Sequence, residues 1–223
     1  MKPPSGGFHF SGTIHFIGLT QMYTEFDGII FDMDGTLVDS GQLHEQAWRQ
    51  TLNHFGIPVE PALMRSLAGV PTVGTLEILI AHFGVTPTAS CEAMNEYKEA
   101  LVRDTMHLYV KPTALAEFAK QNQGKRPMAV GTGAYTEEAI QILTLCGLLE
   151  LVDYVVGADQ VASPKPAPDT FLRCAELMGI APERCIVFED AKAGIQAAEA
   201  AGMFVVDVHA ELQIENDYFL GAQ

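Results

Sequence analysis

The chain is short of positive charge: 13 Lys and Arg stand against 28 Asp and Glu, a net charge of -15 over 223 residues. That balance argues against coating nucleic acid or anionic membranes, and it repels a phosphorylated ligand at long range. An anion site must therefore build its own positive field from a metal, a lysine and helix N-termini. No run of about 18 apolar residues is present, so no membrane span is expected. The four cysteines, Cys91, Cys146, Cys174 and Cys185, form no C-x-x-C pair and lie within apolar patterns. This predicts reduced, buried thiols and a cytoplasmic setting. Internal repeats and low-complexity linkers are missing as well. With 48% hydrophobic residues there is ample core for one large domain, or for a main domain with a modest insertion. Residues 1–21 are rich in Gly, Phe and His without helical period or a cationic start, and read as an extension before the domain rather than a signal peptide. Met22 is an alternative start.

What is there begins at residues 29–37, IIFDMDGTL, where an apolar run ends abruptly in Asp32 and Asp34, followed by Gly35 and Thr36. If 29–31 form a buried strand, both acids sit at its C-terminal edge, where open α/β sheets bind ligands. Strand geometry alternates their faces, so Gly35 matters because it lets the chain turn and bring both carboxylates into one small volume. Like charges so close repel unless a cation intervenes, and an all-oxygen ligand set describes Mg2+ better than Zn2+.

After this turn the pattern is helical without interruption. Leu43, Ala47, Trp48, Leu52 and Phe55 share one face until Gly56 and Pro58, and further helical patterns cover 62–67, 75–83 and 91–107. Trp48 and Phe55 follow the apolar stripe and read as core. The block 40–110 looks like an all-helical cap inserted into a main domain of 22–39 and 111–223, with exits near 38–41 and 109–112. From Thr113 onward helices alternate with short apolar runs: helix 114–121, strand 128–130, helix 137–145, strand 152–156, helix 169–178, strand 185–188, helix 191–201 and strand 204–206. Such alternation predicts an α/β fold with a doubly wound, mostly parallel sheet. The tail after Val208 is acidic and weakly patterned.

Several of these strands end in residues suited to phosphate or metal. Besides Asp32 and Asp34, Thr132 and Gly133 follow one strand, where a hydroxyl and backbone N–H groups suit phosphate oxygens, although an ordinary turn with a Thr cap gives the same local pattern. Lys165 stands among prolines in SPKPAPD, which stiffen the loop and make it a fixed cation; a solvated lysine is the alternative. Glu189 and Asp190 follow 185–188 as Asp32 follows 29–31, and complete a cation's oxygen shell or cap a helix.

Together FDMDGTLVDS, AVGTG, SPKPAPDTF and FEDAKAGIQAAEAAG resemble the motifs of the haloacid dehalogenase superfamily, in its order, over nearly all of 23–208. The helical insertion is similar to that of the subgroup holding β-phosphoglucomutase and small sugar-phosphate phosphatases, and KRPMAVGTG and KPAPDTFLRCAELMGI are similar to bacterial fructose-1-phosphate and 6-phosphogluconate phosphatases. The resemblance implies a Rossmann-like core, a Mg2+ cofactor and a small phosphorylated metabolite, a sugar or polyol phosphate, as the partner. It implies Asp32 as nucleophile forming an aspartyl phosphate, and Asp34 as general acid and base whose backbone carbonyl also binds Mg2+. Asp190 would be a direct ligand and Glu189 a ligand or outer partner. Thr132, the Gly133 and Ala134 amides and Lys165 would hold the transferring phosphoryl group, next to Gly35 and Thr36.

Within the superfamily, the acid at Asp34 favours phosphate esters, since halide release needs no protonation. A β-phosphoglucomutase-type isomerase is the alternative, because His44 in LHEQAW is similar to the cap hinge that holds off that enzyme's acid/base; a helix-surface histidine is the structural explanation. Against it, Ala68 and Thr72 stand where the mutase carries cations for its second phosphate. Lys98 and Arg103 on the last cap helix are candidates for a distal charge, although exposed cations five residues apart are usually just solvated. An inactive regulatory module with this fold would not need Asp34. The sequence sets no oligomeric state, and a monomer is compatible with it.

Overall fold

The computed structural model describes residues 23–68, 70–216 and 218–219. The extension expected at 1–21, Met22 and Gly69 lie outside the described residues. In chain order the elements are β1 (Gly28–Phe31), β2 (Val38–Asp39), α1 (Gly41–His54), α2 (Pro61–Ser66), α3 (Thr72–Phe83), α4 (Cys91–Tyr109) and β3 (Lys111–Pro112). There follow α5 (Leu115–Asn122), β4 (Met128–Gly131), α6 (Thr136–Leu145), β5 (Tyr154–Val156), α7 (Asp169–Met178), β6 (Cys185–Glu189), α8 (Lys192–Ala200), β7 (Phe204–Asp207) and α9 (Val208–Leu212).

Five parallel strands form one sheet in the order β5-β4-β1-β6-β7. Alternation along each strand divides the core between the two faces. Ile29, Phe31, Met128, Val130, Ile186 and Phe188 pack on one side with Leu115, Phe118 and Ile142 from α5 and α6. Ile30, Ala129 and Val187 face the other side with Phe171, Cys174, Ala197 and Ala198 from α7 and α8. Phe31 stacks on Phe188 at 5.5 Å, and Phe118 meets Phe188 edge-on at 5.2 Å. The doubly wound α/β arrangement is therefore as the sequence predicts. The order reverses beside β1: the chain steps outward to β4 and β5, then returns to β6 and β7. The carboxyl ends of β1 and β6 thus flank the switch point, where crossovers diverge and leave a crevice.

Two strand details differ from expectation. The edge strands are only partly covered, and the one expected over 152–156 opens at Tyr154 after a 3₁₀ turn, Leu149–Leu151. A two-residue antiparallel ribbon, Val38↔Pro112 and Asp39↔Lys111, had no counterpart in the sequence reading, because pairs so short carry no periodic signal.

Between the halves of this ribbon lie α1 to α4. In α1, Leu43, Ala47, Trp48, Thr51 and Leu52 are buried on one stripe, and the chain leaves through Gly56 at φ 70°. Ser90 caps α4 by accepting the Ala93 N–H at 3.2 Å. These helices share a separate cluster built on Trp48, Leu52, Met64, Leu76, Leu79 and Met94. Among the described residues no helix is long and apolar enough to cross a membrane. All four cysteines are free, but only Cys174 and Cys185 are buried; Cys91 and Cys146 are half-buried, which corrects the expectation for those two.

Candidate active site

Asp32 is placed by the sheet itself: its N–H donates to Phe188 O at 2.9 Å, extending the β1–β6 pairing by one residue past the strand. The chain then turns on the Met33 carbonyl, which accepts the Leu37 and Val38 N–H groups. Gly35 sits at φ 84°, and a Cβ there would stand 2.2 Å from Asp190 Oδ2, so both the turn and the approach of Asp190 require glycine.

Across the switch point, the Lys165 ammonium donates to Asp32 Oδ1 at 2.6 Å and to Glu189 Oε2 at 2.7 Å, while lying 4.5 Å over the Phe171 ring. The Lys165–Pro166 peptide is cis. The solvated alternative for this lysine is thereby excluded, since its side chain is 11% exposed. Glu189 uses its other oxygen to accept the Asp190 and Ala191 N–H groups at 3.1 and 2.9 Å, at the start of α8. It folds back over Gly194, where a Cβ would stand 1.8 Å from Glu189 Oε2. Thr36 is fully buried and donates to Asp190 Oδ1 at 3.4 Å, so its hydroxyl is turned to that carboxylate. Thr132 is buried after β4 and accepts the Ala134 N–H at 3.1 Å; Gly133 beside it is exposed.

Electrostatics follow from this crowding. Burial and the neighbouring Glu189 push Asp32 well above the usual carboxylate range, against the pull of Lys165. Burial and Glu189 likewise push Asp190 up to about 7. Burial disfavours charge on Lys165, but Asp32 and Glu189 outweigh it and raise its pKa. One oxygen each from Asp32, Glu189 and Asp190 lies within 4.8 Å of the others. Three oxygen donors, two buried and that of Asp190 half-buried, whose mutual repulsion is incompletely offset, fit a hard divalent cation such as Mg2+.

The Asp34 carboxylate points elsewhere and is not one of those three. Its Oδ1 accepts from Ser40 Oγ at 2.6 Å and lies 3.4 Å from His44 Nε2 on α1. Burial pushes it up, yet the His44 and Ser40 contacts together hold it below its ordinary value. Further out, Glu138 on α6 is pushed up to about 7 by burial and by Glu99 and Asp34. Lys98 corrects the expectation of a solvated cation: it is 5% exposed, pairs with Glu99 at 3.2 Å and lies 5.4 Å over the Trp48 ring. Arg103 is exposed, as expected. Sequence reasoning passed over Ser40, Glu138 and Asn216, whose Nδ2 lies beside Gly35 and the Asp190 carboxylate. The only available signal was for Ser40, a polar residue immediately before a helical stripe.

Comparison with known proteins gives the family. A family model described as haloacid dehalogenase-like hydrolase matches residues 26–202. The fructose-1-phosphate phosphatase YqaB of Escherichia coli is 43% identical over 189 residues, covering 84% of this chain and 98% of that protein. A phosphorylated carbohydrates phosphatase of Thermotoga maritima is 30% identical, covering 79% and 82%. The crystal structure of a haloacid dehalogenase-like protein of unknown function from Agrobacterium tumefaciens superposes with a TM-score of 0.71 at 30% identity, over 81% of each chain. With acids and lysine converging at the switch point of such a sheet, the chain belongs to the haloacid dehalogenase-like hydrolase family.

Proposed function

We propose that this protein is a Mg2+-dependent phosphatase of small phosphorylated metabolites, sugar or polyol phosphates, working through an aspartyl phosphate on Asp32. The observation that carries the proposal is Lys165, held 2.6 Å from Asp32 and 2.7 Å from Glu189 beside Asp190 at the mouth of the β1–β6 crevice. Asp32, Asp190 and the Asp34 backbone carbonyl would hold the cation, with Glu189 as a further ligand or as the anchor of Lys165. When bound, the cation supplies positive charge that keeps the carboxylates ionised and offsets phosphate repulsion.

Asp32 attacks phosphorus, forming an O–P bond as the ester O–P bond breaks, and Asp34 gives its proton to the leaving alkoxide. Asp34 is held ionised by His44 and Ser40 in the free protein, so the negative charge of an arriving phosphate, which raises a neighbouring carboxyl's pKa, would load it with the required proton. It then takes a proton from the water that cleaves the aspartyl phosphate. Lys165, Thr132 and the Gly133 and Ala134 amides stabilise charge on the phosphoryl oxygens in transit. The helices of 40–110 act as a cap that excludes water and reads the leaving group. YqaB, by its name a fructose-1-phosphate phosphatase, makes that ester the first substrate to try.

The mutase reading has one observation in its favour, the contact between His44 and Asp34 at 3.4 Å. Absent cations at Ala68 and Thr72 weigh against holding a second phosphate. The test is phosphate release from p-nitrophenyl phosphate and a panel of sugar and polyol phosphates, with Mg2+ and with EDTA. Conversion of β-glucose 1-phosphate to glucose 6-phosphate with a bisphosphate primer, without net phosphate release, would favour the mutase. No turnover of any ester would leave a binding module.

A further inference from the structure

The chain beyond β7 comes back to the acidic cluster and then crosses into the helical layer. Ile214 is buried on the Phe31 side of the sheet, with its N–H donating to Val208 O at 3.1 Å. Two residues on, the Asn216 side chain comes up beside the Asp190 carboxylate over Gly35. Its Nδ2 lies 2.6 Å from the point where a Cβ on Gly35 would stand, itself 2.2 Å from Asp190 Oδ2. Asn216 Oδ1 accepts the Tyr218 N–H at 3.3 Å, turning the chain.

Phe219 then inserts among Trp48, Leu52 and Met94, only 1% exposed. Its N–H donates to Glu45 Oε2 at 2.7 Å, its carbonyl accepts from Arg65 Nη1 at 2.5 Å, and the Arg49 guanidinium lies 4.9 Å over its ring. Arg49 in turn pairs with Glu45 at 2.7 Å. These partners on a second layer offset the entropy lost in ordering the segment there. The segment lies past residue 202, where the family match ends, so nothing in that match assigns it a role.

We propose that Ile214, Asn216, Tyr218 and Phe219 belong to a strap in which Phe219 is the anchor and Asn216 is a positioning residue that aims the Asp190 carboxylate for a divalent cation. The proposal rests on the Mg2+ site proposed above. Asp190 accepts from Thr36 Oγ1 of the β1 turn and faces the Asn216 amide of the strap, so its carboxylate is flanked by polar groups from both before any ion arrives. Such outer partners typically govern metal affinity by about 10–100-fold. The anchor extends the effect: whatever moves the helical layer away from the sheet draws on Phe219 and loosens Asn216.

The test is calorimetric Mg2+ titration of the full chain and of three variants, with melting temperatures measured alongside. Asn216→Leu keeps the side-chain size and loses the donor, and its Mg2+ dissociation constant should rise about 10–100-fold, with kcat at saturating Mg2+ changed much less. Phe219→Ala should weaken Mg2+ in the same direction although Phe219 touches none of the three carboxylates. Arg65→Met, on the exposed face of α2, removes a single hydrogen bond to the strap and should give a smaller weakening with the melting temperature preserved. Asn216→Leu binding Mg2+ like the parent, or Phe219→Ala and Arg65→Met both leaving Mg2+ binding unchanged, would overturn the strap. A parent that binds no Mg2+ would instead remove the metal site itself, and the strap's role with it.

Discussion

Replacing Lys165 by Met separates what the ammonium does for the fold from what it does for the chemistry. Lys165 holds Asp32 at 2.6 Å and Glu189 at 2.7 Å, and those two residues are 7% and 1% exposed. Removing one partner of such a buried network leaves uncompensated charge, which costs about 3–5 kcal/mol. The loss depends on pH in a definite sense. The folded pKa of Asp32 is already raised and goes higher without the cation, so above about pH 3.9 the folded state binds more protons than the unfolded state. Stability of the variant therefore falls as pH rises from that point through the raised folded pKa, and the deficit against the parent shrinks in acid. Mg2+ should protect the variant at least as well as the parent, because the cation no longer competes with an ammonium; at 100 times its dissociation constant an ion adds about 2.7 kcal/mol. Turnover should nonetheless fall by about 10²–10³, the usual cost of losing one donor to a transition-state oxyanion. Urea unfolding between pH 4 and 8, with EDTA and with Mg2+, and p-nitrophenyl phosphate hydrolysis measure all of this. A variant as stable as the parent in EDTA at pH 7, or one that turns over within threefold of it, would refute the placement of Lys165.

Asp32→Asn should eliminate turnover while the melting temperature stays level or rises in EDTA, since a buried, repelled carboxyl is replaced by a neutral amide; activity near the parent level would exclude Asp32 as the nucleophile. Gly194→Ala places a Cβ 1.8 Å from Glu189 Oε2 and must displace that carboxylate, and with it Lys165. Because misplacements of about 1 Å cost roughly 10²-fold, kcat should drop strongly with the helix intact by circular dichroism, and an unchanged kcat would contradict the role of Glu189 as the lysine's anchor. For Glu138, whose folded pKa is raised from 4.5 to about 7, the folded state retains a proton that the unfolded state releases over that interval. Stability is thus lost as pH rises from 4.5 to 7, by at most about 3 kcal/mol, and Glu138→Gln should flatten that slope in thermal melts. A slope equal to the parent's would show that another group titrates there.

The parts of the site legible in the sequence share one property: each follows an apolar run that ends at a sheet edge. Asp32, Thr132 and the Glu189–Asp190 pair announce themselves by that break, and Lys165 by the prolines around it. Lys98 was misjudged because its spacing from Arg103 says nothing of which helix face meets Trp48, and only packing decides that. Ser40 and Asn216 lie against carboxylates 6 and 26 residues away in the chain, and a lone polar residue carries no period from which such a pairing can be inferred. The ribbon at 38–39 and 111–112 escaped notice for a related reason, being held by two pairs alone.

That ribbon makes the molecule modular in an exploitable way. The chain departs at Asp39 and re-enters at Lys111, on paired neighbours, so a foreign set of helices spliced at those residues would leave the register of the sheet untouched, while Asp34 would keep its partners only if the newcomer retains Ser40 and His44. Swapping the helices proposed to read the leaving group becomes a two-junction graft, with one further condition: the newcomer must offer Phe219 a berth.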